Sequence, residues 1–219
     1  MRVHLLPLGR GRFDLYAEPV ETANEPPAHD AGWMRHALHR SGEQWRRLVD
    51  TARLDQATSR LGKWRDTVIC SLANSIEEQR TMWTLRSTAE ADTYFPANMP
   101  AATAREQLMT ILANARRFHG IRFAVYLVLF VASGILFFVP GPNIVAYYLG
   151  FQAFGHLQSW LGARRGSATV SWTLLPNDDL AELAALAEQS RASRSARIGA
   201  IAERLGLPRL PAFFERAAG

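Results

Sequence analysis

The sequence has few of the residues on which common catalytic and redox sites are built. Cys70 is the single cysteine in 219 residues, so neither an internal disulfide nor a cysteine-based zinc site can form within the chain. We find no glycine-rich phosphate loop, no nucleophile elbow and no carboxylate pair of recognisable spacing. These absences argue against an enzyme and predict neither a cofactor nor a metal. The lone cysteine fits a reducing compartment.

Lysine is also nearly absent, because 24 of the 25 basic residues are arginine. The formal net charge of +5 suits an anionic partner, either a nucleic acid or a membrane surface. Arginine and tryptophan alternate in the segments WRRL, KWRD and RTMWTLR, a pattern that could hold phosphates and stack bases. On helices the same letters form one apolar and one solvated face, which is the interpretation we prefer. Nucleic acid binding is kept as a minor alternative.

The periodicity of the chain predicts an α+β protein that is predominantly α. Apolar residues alternate on both sides of the tripeptide GRG, which predicts a β-hairpin over residues 1–20. A proline-rich linker follows over residues 21–32, and residues 33–119 show the spacing of a helical domain. Residues 164–219 are predicted to supply a strand, near 168–175, and C-terminal helices that pack back on this domain. No further strand is predicted, since the segment DTYFPANMPAAT is interpreted as an interruption between helices.

The longest absence is one of charge. Residues 123–163 are 41 consecutive positions without Asp, Glu, Lys or Arg. The apolar arm 123–139 has 17 residues, the lower edge of the roughly 17–25 that a membrane-spanning helix needs. The second arm, 144–163, is less apolar because it contains Gln152 and His156. We therefore predict a hydrophobic helical hairpin over residues 120–163 that enters a membrane.

The tip of this hairpin is a Pro-Gly-Pro-Asn element. Proline disfavours helix at the residue before it and suits the first turn of the next helix, so the element ends one arm and begins the other. Its residues are Pro140, Gly141, Pro142 and Asn143. The alternative is a soluble adaptor or scaffold that buries the hairpin in its own core or against a partner.

Arginines flank the hairpin at its base and are absent from its tip. They are Arg116, Arg117, Arg122, Arg164 and Arg165. Under the positive-inside tendency both chain ends stay in the cytoplasm, and these side chains anchor the hairpin to anionic headgroups. His119 is interpreted as a residue at headgroup level and His156 as a helix-packing residue. Metal or proton chemistry is the sharper alternative for both, but no carboxylate lies between them to complete a relay.

The segment FVPGPNIVAYYLGFQAFGHLQSWLGARRG resembles the C-terminal signature of the mitochondrial potassium–proton exchange-related family. The matching positions are Pro140, Gly141, Pro142, Asn143, Tyr147, His156, Arg164, Arg165 and Gly166. The resemblance implies a membrane-associated protein linked to monovalent-cation exchange, with Tyr147, Gln152 and His156 as packing or ligand candidates. The N-terminus has no apolar run of signal-peptide length and carries acidic residues unlike a transit peptide, so we expect a bacterial member at the inner membrane.

A single hairpin without an intramembrane acid cannot by itself form a proton-coupled path for cations. The resemblance therefore implies an accessory or regulatory role rather than transport by one chain. The expected partners are an anionic bilayer and either further copies of the chain or a membrane transport protein.

Overall fold

The computed structural model describes residues 1–18, 81–133 and 144–218. The predicted linker, most of the predicted helical domain before residue 81, and the hairpin tip Pro140, Gly141, Pro142 and Asn143 lie outside the described residues.

Four strands form one sheet: β1 (Arg2–Gly9), β2 (Arg12–Tyr16), β3 (Glu90–Pro96) and β4 (Ser171–Asn177). Their spatial order is β2-β1-β3-β4, with β2 antiparallel to β1 and β3 parallel to both of its neighbours. The predicted N-terminal hairpin is confirmed. Its turn has positive φ at Gly9, Arg10 and Gly11, a conformation that glycine adopts without steric cost.

The sheet contains one strand that the sequence analysis missed. β3 occupies residues interpreted as an interruption between helices, and it forms the centre of the sheet together with β1. β4 is the additional strand expected near residues 168–175, and it pairs in parallel with β3. Before the proline that ends it, β3 buries every second residue, Ala91, Thr93 and Phe95. The alternation of apolar and polar residues is hard to recognise in the sequence, because one of these buried residues is polar and the strand ends in proline.

The described part of the chain has five long helices, two between β3 and β4 and three after β4: α1 (Ala101–Ser133), α2 (Ile144–Ala168), α3 (Asp178–Ala187), α4 (Arg191–Leu205) and α5 (Leu210–Ala217). Residues 81–85 are also helical. α3 begins where the Asn177 side-chain oxygen accepts a hydrogen bond of 2.9 Å from the Leu180 amide. α4 ends at Gly206, which has φ 67° as helix C-caps often do.

Both faces of the sheet are buried. Successive residues of a strand point to opposite faces, so β1 sends Val3 and Leu5 to one core and Leu6 and Leu8 to the other. The first core is completed by residues 81–85 and the first half of α1, through Met82, Leu85, Ala104, Leu108 and Leu112. The second core lies under α3, α4 and α5, through Leu180, Leu183, Leu186, Ile198, Ile201, Leu210 and Phe214. Because β1 is buried on both faces, its sequence is a nearly continuous apolar run.

α1 and α2 form an antiparallel pair that connects β3 to β4. Glycines of one helix receive large side chains of the other, because Gly166 faces Leu112, Gly120 faces Trp160 and Gly150 faces Phe130. Later residues of α1 thus contact earlier residues of α2, as in any antiparallel pair. In the described ranges, no helix is both long enough and apolar enough to cross a bilayer. The transmembrane part of the prediction therefore has no support from these helices.

Candidate functional site

The α1–α2 pair brings two histidines into direct contact. His119 of α1 and His156 of α2 have their Nδ1 atoms 2.8 Å apart, a distance at which one ring donates a hydrogen bond and the other accepts it. His156 is buried and His119 is half-buried. Sequence reasoning treated the two residues separately and did not predict this contact.

Aromatic side chains of α1 enclose the two imidazoles. His119 and Tyr126 are seven residues apart and therefore lie on one face of α1. His156 inserts between them and stacks on the Tyr126 ring, with centroids 5.4 Å apart and an interplanar angle of 13°. Phe118 presents its ring edge-to-face to both histidines, at centroid distances of 5.2 and 6.3 Å. The spacing of His119 and Tyr126 was the available sequence signal for this enclosure.

The enclosure disfavours the charged form of both rings. Burial, followed by the charges of His156 and of Arg122, lowers the pKa of His119 to about 4. Burial also lowers the pKa of His156, with Arg122 as the second cause. The Arg122 guanidinium is held nearby because its Cζ lies 4.5 Å from the centroid of the Phe118 ring. The histidine pair is therefore uncharged at neutral pH.

The remaining candidates of α2 have packing environments or fall outside the description. Gln152 is buried, and its Nε2 donates a hydrogen bond of 3.3 Å to the Tyr148 hydroxyl. The backbone of Tyr147 belongs to α2, but its side chain lies outside the described residues. Within the described ranges, no three residues among His, Cys, Asp and Glu are grouped to hold a metal ion. The chemistry that this site offers is proton binding by two imidazoles.

All five flanking arginines are exposed. Arg116, Arg117, Arg164 and Arg165 share one level of the helix pair, since the contacts of Leu112 with Gly166 and of Gly120 with Trp160 lie on either side of that level. Arg122 lies one turn further along α1. We call these five residues the arginine belt.

From residue 121 onward, α1 exposes large apolar side chains to solvent. Ile121, Val125, Val128 and Val131 follow one another at spacings of three and four residues and point away from α2. Val128 and Val131 have 67% and 69% of their surface exposed. We call these four residues the apolar face. The sequence predicted an apolar helix here, but not which of its residues remain uncovered.

The comparison with known families agrees with the resemblance seen in the sequence. A family described as mitochondrial K+-H+ exchange-related matches residues 2–167, a range that contains the first three strands, the histidine pair and the arginine belt. No curated protein and no solved structure matches the sequence. Because the matched range covers most of the 219 residues, the chain belongs to the mitochondrial K+-H+ exchange-related family.

Proposed function

We propose that the protein is a membrane-associated accessory or regulatory component of potassium and proton homeostasis, and that it docks on an anionic bilayer through the apolar end of the α1–α2 pair. The observation that carries this proposal is the apolar face, Ile121, Val125, Val128 and Val131, which is more than half exposed at each position. Contiguous exposed apolar surface of this kind is typical of an interaction site.

A partner that covers the apolar face transfers these side chains out of water. Full burial of a Val or Ile side chain contributes about 1.5–3 kcal/mol. Val128 and Val131 are two thirds exposed, so much of that free energy is available to a partner that covers them. A hydrocarbon phase covers such a face without needing a matching shape.

The charge distribution favours an anionic membrane over a protein partner. Residues 107–177 contain no Asp or Glu, so both helices are purely cationic around the apolar face. The arginine belt lies at the base of this face, where headgroups would meet it during insertion. Each such arginine near an anionic leaflet contributes about 1 kcal/mol of attraction.

The length of the exposed apolar segment sets the depth of the proposed insertion. Residues 121–132 rise about 18 Å along α1 at 1.5 Å per residue. The hydrocarbon core is about 30 Å thick, so this segment reaches into the near leaflet. In the orientation we propose, both chain ends stay on the side of the arginine belt, the cytoplasmic side of a bacterial inner membrane.

A protein partner that covers the same face is the rival interpretation. An adaptor that buries this face in its own core is disfavoured, because the described residues leave it exposed. Of the segments that suggested nucleic acid binding, WRRL and KWRD lie outside the described residues. The proposed docking requires an anionic bilayer, whereas binding to a protein or a nucleic acid would not depend on lipid.

Vesicle sedimentation tests the docking directly. The purified full chain is mixed with vesicles of phosphatidylcholine alone, and with vesicles that also contain the anionic lipid phosphatidylglycerol. We expect binding to the anionic vesicles, and a loss of about a hundredfold for the double variant Val128→Gln/Val131→Gln, because two buried valines are worth about 3 kcal/mol. The control is Thr110→Gln/Ala113→Gln, two exposed positions on the same helix below the belt. Absence of binding to either vesicle, or equal binding by both variants, would refute the docking.

A growth experiment tests the cation role separately. Deletion of the gene is expected to alter growth at high external potassium or shifted pH, as the family membership suggests. The Val128→Gln/Val131→Gln variant should fail to restore growth, whereas Thr110→Gln/Ala113→Gln should restore it. A deletion without effect across these conditions would remove the cation role and leave the docking result untouched.

A further inference from the structure

We propose that His119 and His156 form one shared proton-binding site, which takes up a single proton as a hydrogen-bonded pair and separates when a second proton arrives. The proposal goes beyond membrane docking, because it depends only on the contact between α1 and α2 at this level. Its geometric basis is the Nδ1 to Nδ1 distance of 2.8 Å between rings whose centroids are 5.1 Å apart.

The proton count follows from the hydrogen bond itself. Two neutral imidazoles carry two ring hydrogens on four nitrogens, and the contact places one of them between the Nδ1 atoms. The donor ring then has a bare Nε2, and the acceptor ring carries its hydrogen on Nε2. One added proton binds at the bare Nε2, which converts the contact into a charge-assisted hydrogen bond and lets the two rings share the positive charge.

A second proton does not fit this geometry. Both Nδ1 atoms would then bear hydrogens that point at each other across 2.8 Å, and two positive charges would lie in a partly buried site. The rings must move apart, so the second proton breaks the hydrogen bond that joins α1 and α2 at this level. The two protons are consequently taken up in separate steps that belong to the pair and not to either residue.

Among the residues that the structure describes, no carboxylate acts electrostatically on either ring. Arg122 is the charged neighbour that acts on both rings, and Tyr126 stacks on His156 from the same helix. About one turn further along α2, Trp83 donates to the Ser159 hydroxyl. Arg86 donates to the Gln158 side chain. Burial and Arg122 both lower the pKa values of the pair, so its first proton is taken up in acid and not at neutral pH.

Nitrogen NMR of the unaltered full chain tests the site, with histidine ring nitrogens labelled and the protein in detergent micelles. At pH 7.5 we expect one ring of the pair as the Nδ1–H tautomer and the other as the Nε2–H tautomer, with a scalar coupling between the two Nδ1 nuclei. The coupling should persist through the first step of an acid titration and vanish in the second. Two Nε2–H tautomers at pH 7.5, or a coupling absent from the start, would overturn the proposal.

Variants separate this site from an ordinary buried histidine. In His156→Gln and in His156→Phe, His119 should titrate in one step that lies about one pH unit or more above the lower step of the unaltered pair. His4→Phe is the matched control, since His4 is a buried histidine in β1 that stacks on Tyr94 and not on this pair. A His119 titration that is unchanged by both substitutions at position 156 would show two independent groups.

Discussion

Gly162 of α2 lies against the backbone of Met82, so close that a β-carbon at Gly162 would lie 2.6 Å from the Met82 carbonyl carbon and would overlap its oxygen. The neighbouring Trp83 indole fixes this crossing, because its Nε1 donates to the Ser159 hydroxyl at 2.9 Å and to the Gly155 carbonyl at 3.1 Å. Residues 81–85 can therefore approach α2 only where α2 has no side chain.

This contact predicts that Gly162→Ala lowers the free energy of unfolding, because the clash involves backbone atoms that cannot rotate away. We expect a loss of about 1–3 kcal/mol, typical of forced overpacking, measured by urea denaturation. Gly199→Ala is the control, since Gly199 lies in α4 with open space around it. That substitution should stabilise the protein by up to about 1 kcal/mol through helix propensity. Equal effects of the two substitutions would contradict the close packing.

The arginine belt predicts a salt-dependent component of membrane binding. Replacing Arg116, Arg117, Arg164 and Arg165 with Gln should weaken binding to anionic vesicles by about fivefold per residue, since each charge contributes about 1 kcal/mol. The variant should also lose most of the dependence of binding on salt concentration. Arg209→Gln is the control at an exposed position after α4. Belt variants that bind as tightly as the unaltered protein would rule out the anchoring role.

The lowered pKa values of three histidines predict that the protein loses stability in mild acid. Burial lowers the pKa of His4 and of His119 to about 4, and it lowers the pKa of His156 as well. The unfolded chain binds protons at these groups near pH 6.5 while the folded chain does not, so their stabilising contribution is present above pH 6.5 and is lost as the pH falls toward 4. For His4 alone this amounts to about 2 kcal/mol between pH 7.5 and pH 5.

The test is urea denaturation at pH 7.5 and at pH 5, above the range in which carboxylates titrate. His4→Phe keeps a ring against Tyr94 and removes the titrating group, so its unfolding free energy should fall less on acidification than that of the unaltered protein. An identical fall in both proteins would mean that the His4 imidazole is not held neutral by burial.

The hydrogen bonds of Arg194 predict that its replacement destabilises the C-terminal helices. This buried side chain forms two hydrogen bonds with Glu215, of 3.1 and 3.0 Å, and donates to the backbone carbonyls of Ala187 and Gln189. Arg194→Met leaves these acceptors without the guanidinium and should cost about 3 kcal/mol of unfolding free energy. Arg197→Gln removes an exposed ion pair with Glu182 and should cost less than about 1 kcal/mol. A smaller loss for Arg194→Met than for Arg197→Gln would reverse this assignment.

The candidate site shows where sequence reasoning stops. A hairpin symmetric about residues 140–143 places position 156 opposite position 127, and the observed stacking of His156 on Tyr126 is close to that expectation. His156 also contacts His119, which lies two turns before Tyr126 in α1. This second contact depends on the axial offset between the two helices and on the space left by small residues. Neither quantity follows from the periodicity of one helix.

The sequence by itself determined the local features: the β-hairpin around GRG, the helical spacing of α1 and α3, the uncharged stretch and the positions of the arginines. These follow from turn propensity, periodicity and charge, which act over a few neighbouring residues. Only the tertiary structure decided that β3 enters the sheet, that His119 meets His156 and that Val128 and Val131 stay uncovered. Those outcomes depend on contacts between residues far apart in the chain, whose register is set by packing against the whole fold.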